Sequence, residues 1–149
     1  MEIVPRLEGR SRRRTVVTGT SSDAHTWNLV FLQLLLEGAG HTVSNLGACV
    51  PDALLVSECR ARRPEFIVIS TVNGHGYHDG QRVVKRLRMV PELARVPIVI
   101  GGKLGIDGPD PRWHHVLRAA GFDAVFEGGE EDPGALLAMV EALPVVVEA

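Results

Sequence analysis

Cysteine is scarce in this 149-residue chain, which has only Cys49 and Cys59. Two thiols make no disulfide framework, and the cytoplasm is the default location. Both cysteines are read as small buried or half-buried residues, not nucleophiles. Aromatic residues amount to 5% of the chain, too few to furnish the stacking faces that a bound flavin wants. A charge excess is missing as well. Sixteen Lys and Arg against 18 Asp and Glu leave a formal net charge of −2, so nothing global points to nucleic acid. No apolar run reaches the roughly 18–20 residues of a membrane span, and none near the N-terminus resembles a signal peptide. The basic run Arg10-Ser11-Arg12-Arg13-Arg14 is local, and residues 1–13 are read as a solvated arm without a function.

What is present is a 45% apolar chain of a size that suits one domain. Short β-rich runs alternate with longer helical ones. RTVVTGT (14–20), HTVSNL (41–46), FIVIS (66–70), PIVI (97–100) and residues 123–126 read as strands. Helices are expected over 26–37, from Pro51-Asp52 to about Arg62, and over 79–90, 113–120 and 133–143. FIVIS and PIVI are apolar on both faces, as central parallel strands covered by helices should be. The expected fold is therefore α/β, a doubly wound five-stranded parallel sheet of flavodoxin or Rossmann type with strand order 2-1-3-4-5. It would occupy residues 14–143, with 144–149 as a tail.

Such sheets bind ligands beyond the carboxyl ends of their strands, at the switch point between strands 1 and 3. The loops there read TSSDAHTWN, TVNGHGYHDG and GGKLGIDGPDP. A phosphorylated receiver would want an aspartate ending strand 3 and a lysine ending strand 5, where this chain has Ser70 and Glu127. A flavodoxin would wrap a phosphate in the hydroxyl-rich stretch Thr18-Gly19-Thr20-Ser21-Ser22, but Asp23 would oppose it. Taken alone, Asp23 reads as a helix cap. Paired with His25, it reads as a carboxylate that fixes the tautomer of a metal-ligating imidazole. His75 and His78 have no partners at ligand spacing and are assigned to a polar loop, and His114-His115 to a helix surface.

Asp23-x-His25, then Ser70-Thr71-Val72, then Gly101-Gly102 resemble the D-x-H-x-x-G, S-x-L and G-G signature of cobalamin-binding domains, including the small cobalamin-binding subunit of glutamate mutase. The resemblance runs from about Arg14 to Leu143. It implies His25 as the lower axial ligand of cobalt, displacing the cofactor's own dimethylbenzimidazole, whose nucleotide tail enters a slot beside the first helix. It implies a Ser70 hydroxyl bonded to a nitrogen of that base, with Val72 packed nearby. Ser22 and Thr26 flank the ligand pair, Gly74, Gly76, Gly101 and Gly102 allow close backbone approach, and Lys103 either reaches a cofactor amide or phosphate or stands solvated at the surface. The pattern breaks at Asn28, where glycine is expected, and at Val72, where leucine is expected.

The implied function is the cobalamin-binding half of an adenosylcobalamin-dependent carbon-skeleton mutase. A separate TIM-barrel subunit, a fold of about 250 residues, would hold the amino-acid substrate. The alternatives are a corrinoid methyl carrier, disfavoured by the short segment ahead of strand 1, and a non-catalytic cobalamin-binding module, which Asn28 supports. A flavodoxin-like electron carrier ranks last.

Overall fold

The computed structural model describes residues 12–127 and 133–143. The expected tail, 144–149, lies outside them, as does most of the basic arm. Five parallel strands run β1 (Arg14–Thr18), β2 (Thr42–Asn45), β3 (Phe66–Thr71), β4 (Ile98–Gly102) and β5 (Ala124–Glu127), in the order β2-β1-β3-β4-β5. Helices α1 (Trp27–Gly38), α2 (Asp52–Arg62), α3 (Gly76–Arg88), α4 (Pro111–Ala120) and α5 (Pro133–Glu141) cover both faces. The expected architecture and strand order are those observed.

The two-residue period of a strand divides the core in two. Ile67, Ile69, Ile98 and Ile100 face the layer that includes Leu55, Val83, Leu87 and Leu117. Phe66, Val68 and Val99 face Leu29, Leu36, Leu136 and Val140 on α1 and α5. All six residues of β3 are buried, and each large aliphatic side chain so removed from water contributes about 1.5–3 kcal/mol. Local signals set the helix ends. Asp110 accepts a hydrogen bond from the Arg112 amide at 3.0 Å and Pro111 opens α4. In α2, Asp52 starts the helix and Arg60 and Arg62 end it, each charge complementing the helix dipole.

Several boundaries differ from the sequence reading. β4 continues through Gly101 and Gly102, which pair with Ser70 and Thr71, because ladder pairing overrides glycine's poor strand propensity. At Gly102, with φ +114°, a Cβ would lie 2.1 Å from the Thr71 carbonyl oxygen, so no other residue fits. Helix α3 begins at Gly76, where a Cβ would strike Thr71 and Leu104. A short 3-10 turn at Pro91–Leu93 was not anticipated. Arg13, assigned to the solvated arm, is 3% exposed, pairing with Glu65 at 3.2 Å and donating to the Leu143 carbonyl. Cys59 is buried and its thiol is pushed up to about 12, chiefly by burial, whereas Cys49 is exposed, against expectation. No helix among the described residues is long and apolar enough to cross a membrane.

Candidate functional site

The loop after β1 turns back so that Asp23 is almost entirely buried, at 1% exposure, between the ends of β1 and β3. Its Oδ1 accepts from the His25 amide at 2.9 Å and lies 2.6 Å from His25 Nδ1. Its Oδ2 accepts from the Thr71 hydroxyl at 2.6 Å and the Val72 amide at 2.7 Å. Burial pushes the carboxyl up, but the Thr71 hydroxyl, the two amides and the His25 ring outweigh it and hold Asp23 at about 2. An ionised carboxylate only accepts, so Nδ1 carries the proton of a neutral His25 and Nε2 keeps its lone pair. The ring is 60% exposed. A buried anion thus holds an open nitrogen donor at the rim, an arrangement suited to a transition metal.

Asp23 is not the helix cap that its position suggested. Thr26 stands at the N-cap of α1 and makes no side-chain cap bond, and the four donors on Asp23 leave it nothing for the helix. A polar chain backs the pair. Thr71 also contacts Asn73, Asn73 donates to Ser22, and Ser22 donates to Asp79. Arg82 closes the chain by bridging Asp79, Ser21 and Asp52. The loops after β1 and β3 are thereby tied to α2 and α3.

Beside His25, between α1, α5 and the sheet, opens a largely apolar cavity of about 840 Å³. His25, Asn28, Ser70, Val72, Gly101 and Gly102 all reach it, as the sequence reading requires of a shared site. Ser22, Thr26, Gly74, Gly76 and Lys103 are not among its lining residues. Ser22 is engaged with Asp79, and Gly74 and Gly76 serve loop and helix packing against Ile106 and Leu104. Lys103 is exposed. Trp27, Phe31 and Leu34 are also exposed, at 83%, 56% and 63%, along the cavity side of α1. That accounts for a first helix more apolar than one core face demands.

The model of the B12 binding domain matches residues 13–138. The chain belongs to this family. It is 29% identical over 138 residues to glutamate mutase sigma subunit 1 of Haloarcula marismortui, covering 90% of this chain and 88% of that one. It is 31% identical over 114 residues to the glutamate mutase sigma subunit of Halobacterium salinarum, covering 75% of each. Among solved structures, a cobalamin-binding protein of Desulfitobacterium hafniense superposes with a TM-score of 0.69 at 20% identity, over 89% of this chain and 60% of that one. The chemotaxis protein CheY4 of Vibrio cholerae gives 0.66 at 15% identity, over 87% and 97%. The fold alone therefore does not separate corrinoid carriers from receivers. Membership of the B12 binding domain family rests instead on the family match over residues 13–138.

The sequence reading missed a second buried carboxylate on the same rim. Glu127, whose side chain is 2% exposed, accepts from the Tyr77 hydroxyl at 2.6 Å and lies 2.6 Å from His114 Nε2. Tyr77 stacks on Trp113 with centroids 5.0 Å apart. His114 is therefore half-buried and partnered rather than a surface residue. Burial first, and then the bond to Glu127, push the Tyr77 hydroxyl up to about 12. Among the described residues no group of three or more His, Cys, Asp or Glu side chains is placed to hold a metal ion.

Proposed function

We propose that this B12-binding domain is the cobalamin-binding subunit of a mutase of the glutamate mutase type, holding cobalt through Nε2 of His25. The observation that carries the reading is the buried, ionised Asp23 that presents the His25 ring at the mouth of the cavity. The residues fit a corrinoid in their chemistry. A neutral imidazole faces the rim, glycines at 101 and 102 bare the backbone, and an apolar slot runs inward beside α1. Adenosylcobalamin, when bound, supplies a weak cobalt–carbon bond whose homolysis starts hydrogen abstraction.

This chain's own part is to hold and orient. Asp23 keeps the Nδ1 proton and the ring plane, Thr71 and Val72 keep Asp23, and the apolar walls exclude water from the slot. The cavity beside His25 is assigned to the cofactor, the amino-acid substrate to a separate TIM-barrel subunit, and the domain alone is expected to be inactive. The sigma-subunit names of its relatives support this division of labour.

Titration with cobalamin, followed by absorption, tests the proposal. Wild type is expected to show replacement of the cofactor's base by histidine, and His25→Gly to lose that signature and regain it with added imidazole. The same base-on spectrum from both proteins would overturn it.

A further inference from the structure

The His25 ring has little to hold it. It is 60% exposed, and among the described residues its hydrogen-bond partner is Asp23. Residues 19–26, which carry the pair, form neither helix nor strand, and Thr26 makes no side-chain cap bond to α1. The aim of the ring therefore depends on what holds that loop. On the α3 side the holder is a second carboxylate, Asp79, in the first turn of α3 and only 8% exposed. Both its oxygens are committed, Oδ1 to Arg82 at 3.0 Å and Oδ2 to the Ser22 hydroxyl. Burial pushes the Asp79 carboxyl up, but the bonds from Ser22 and Arg82 outweigh it and hold the group below the ordinary carboxylate range.

An ionised carboxylate has no hydrogen to give, and this sets the direction of the bonds that follow. The single hydroxyl hydrogen of Ser22 is spent on Asp79, so its oxygen is left to accept from Asn73 Nδ2 at 3.0 Å. With Nδ2 turned to Ser22, Asn73 Oδ1 takes the His75 amide at 3.0 Å and stands 3.2 Å from Thr71 Oγ1. Thr71, held between Asn73 and Thr20, donates to Asp23 at 2.6 Å. Ser22 also adjoins Asp23 in the chain, so Asp79 acts on the pair twice, along the backbone and through Asn73 and Thr71. We propose that Asp79 and Ser22 are positioning residues that aim the His25 ring before any cofactor arrives. The inference rests on the corrinoid reading above and extends it to residues that do not line the cavity. Preorganisation of this kind removes an ordering cost from binding. A purely structural role for Asp79, confined to the ion pairs of Arg82, would leave the ring unaffected.

Ser22 is exposed, so it accepts substitutions that leave the Asp79–Arg82 pair in place. Ser22→Ala removes the hydroxyl, Ser22→Thr keeps it, and Asp79→Asn removes the charge at the far end. The tautomer of His25 in the apo-domain is read from its ring nitrogen chemical shifts at about pH 8.5, above the ordinary histidine range. Wild type and Ser22→Thr are expected to hold the Nδ1–H form, and Ser22→Ala and Asp79→Asn to gain the Nε2–H form. Calorimetry with cobalamin is expected to show about 3–10-fold weaker binding for Ser22→Ala and Asp79→Asn, less than the loss of a direct partner of the histidine costs. Neither change should weaken binding further in a His25→Gly background. Ser22→Ala is expected to melt within about 2 °C of wild type, and the two Ser22 variants carry the test if Asp79→Asn does not fold. An unchanged tautomer in Ser22→Ala overturns the inference, as does an equal loss of affinity with and without His25, or a Ser22→Thr that behaves like Ser22→Ala. Absence of cobalamin binding by wild type overturns the corrinoid reading instead, while the apo tautomer still decides whether Asp79 and Ser22 aim the ring.

Discussion

Two carboxylate–histidine pairs stand on one rim of the sheet, and they are built for opposite ends. Asp23 and Glu127 are both almost fully buried, and each lies 2.6 Å from a ring nitrogen. Asp23 receives two backbone amides and a hydroxyl, and the ring it holds is 60% exposed. Glu127 receives the Tyr77 hydroxyl, and its histidine is only 33% exposed. The first pair fixes a donor that faces outward, while the second fixes Tyr77 against Trp113 and closes α3 onto α4. A buried Asp–His contact is therefore no sign of a ligand by itself. What matters is which ring nitrogen is left over and whether a cavity adjoins it.

Gly102 joins the two, since it pairs with Thr71 on one side and Glu127 on the other. Gly102→Ala should break both at once. With a Cβ forced to 2.1 Å from a carbonyl oxygen at φ +114°, a loss on the order of 3–5 kcal/mol is expected in denaturant titrations. Next comes the separation of the pairs. Asp23→Asn should weaken cobalamin binding by roughly 10–100-fold, the usual cost of losing the group that orients a metal-bound histidine. Glu127→Gln should leave affinity within about 3-fold while lowering stability by about 1–3 kcal/mol. If calorimetry and thermal melts give the reverse assignment, the comparison fails.

The pairs also respond at opposite ends of the pH scale. Asp23 is depressed from 3.8 to about 2, so its contribution is present above about pH 4 and is lost as pH falls toward 2. That amounts to about 2 kcal/mol at 1.36 kcal/mol per unit. Tyr77 is raised from 10 to about 12, so its contribution is complete below pH 10 and is lost as pH rises toward 12. Asp23→Asn should flatten the acid limb of stability against pH, and Tyr77→Phe the alkaline one. The smallest effect belongs to Arg82, which is 46% exposed. Arg82→Gln should change stability by less than about 1 kcal/mol, because solvent screens its ion pairs.

Much of this was legible beforehand. The strands, their order and the Asp23–His25 pair followed from local pattern, and Ser70, Val72 and Gly101 fell on the cavity as expected. Thr71 was passed over because it is the neighbour of Ser70 in sequence, although strand alternation sends it to the other face and onto Asp23. Glu127 was noticed only as a residue that a receiver would not have there. Its partners Tyr77 and His114 lie 50 and 13 positions away, and no short motif connects them. The capping role assigned to Asp23 failed for a similar reason, since Thr71 at the end of β3 and Val72 just after it took its second oxygen.

The amino-acid sequence by itself determined the period-two strands, the helix stripes and the D-x-H spacing, because each depends on residues a few positions apart. Only the tertiary structure decided which carboxylate holds an outward ring, where Thr71 points, and that Asn28 binds Ser70 across the slot. Those depend on strand register and helix docking, which bring together groups 42 to 50 residues apart once the apolar faces of the helices are buried.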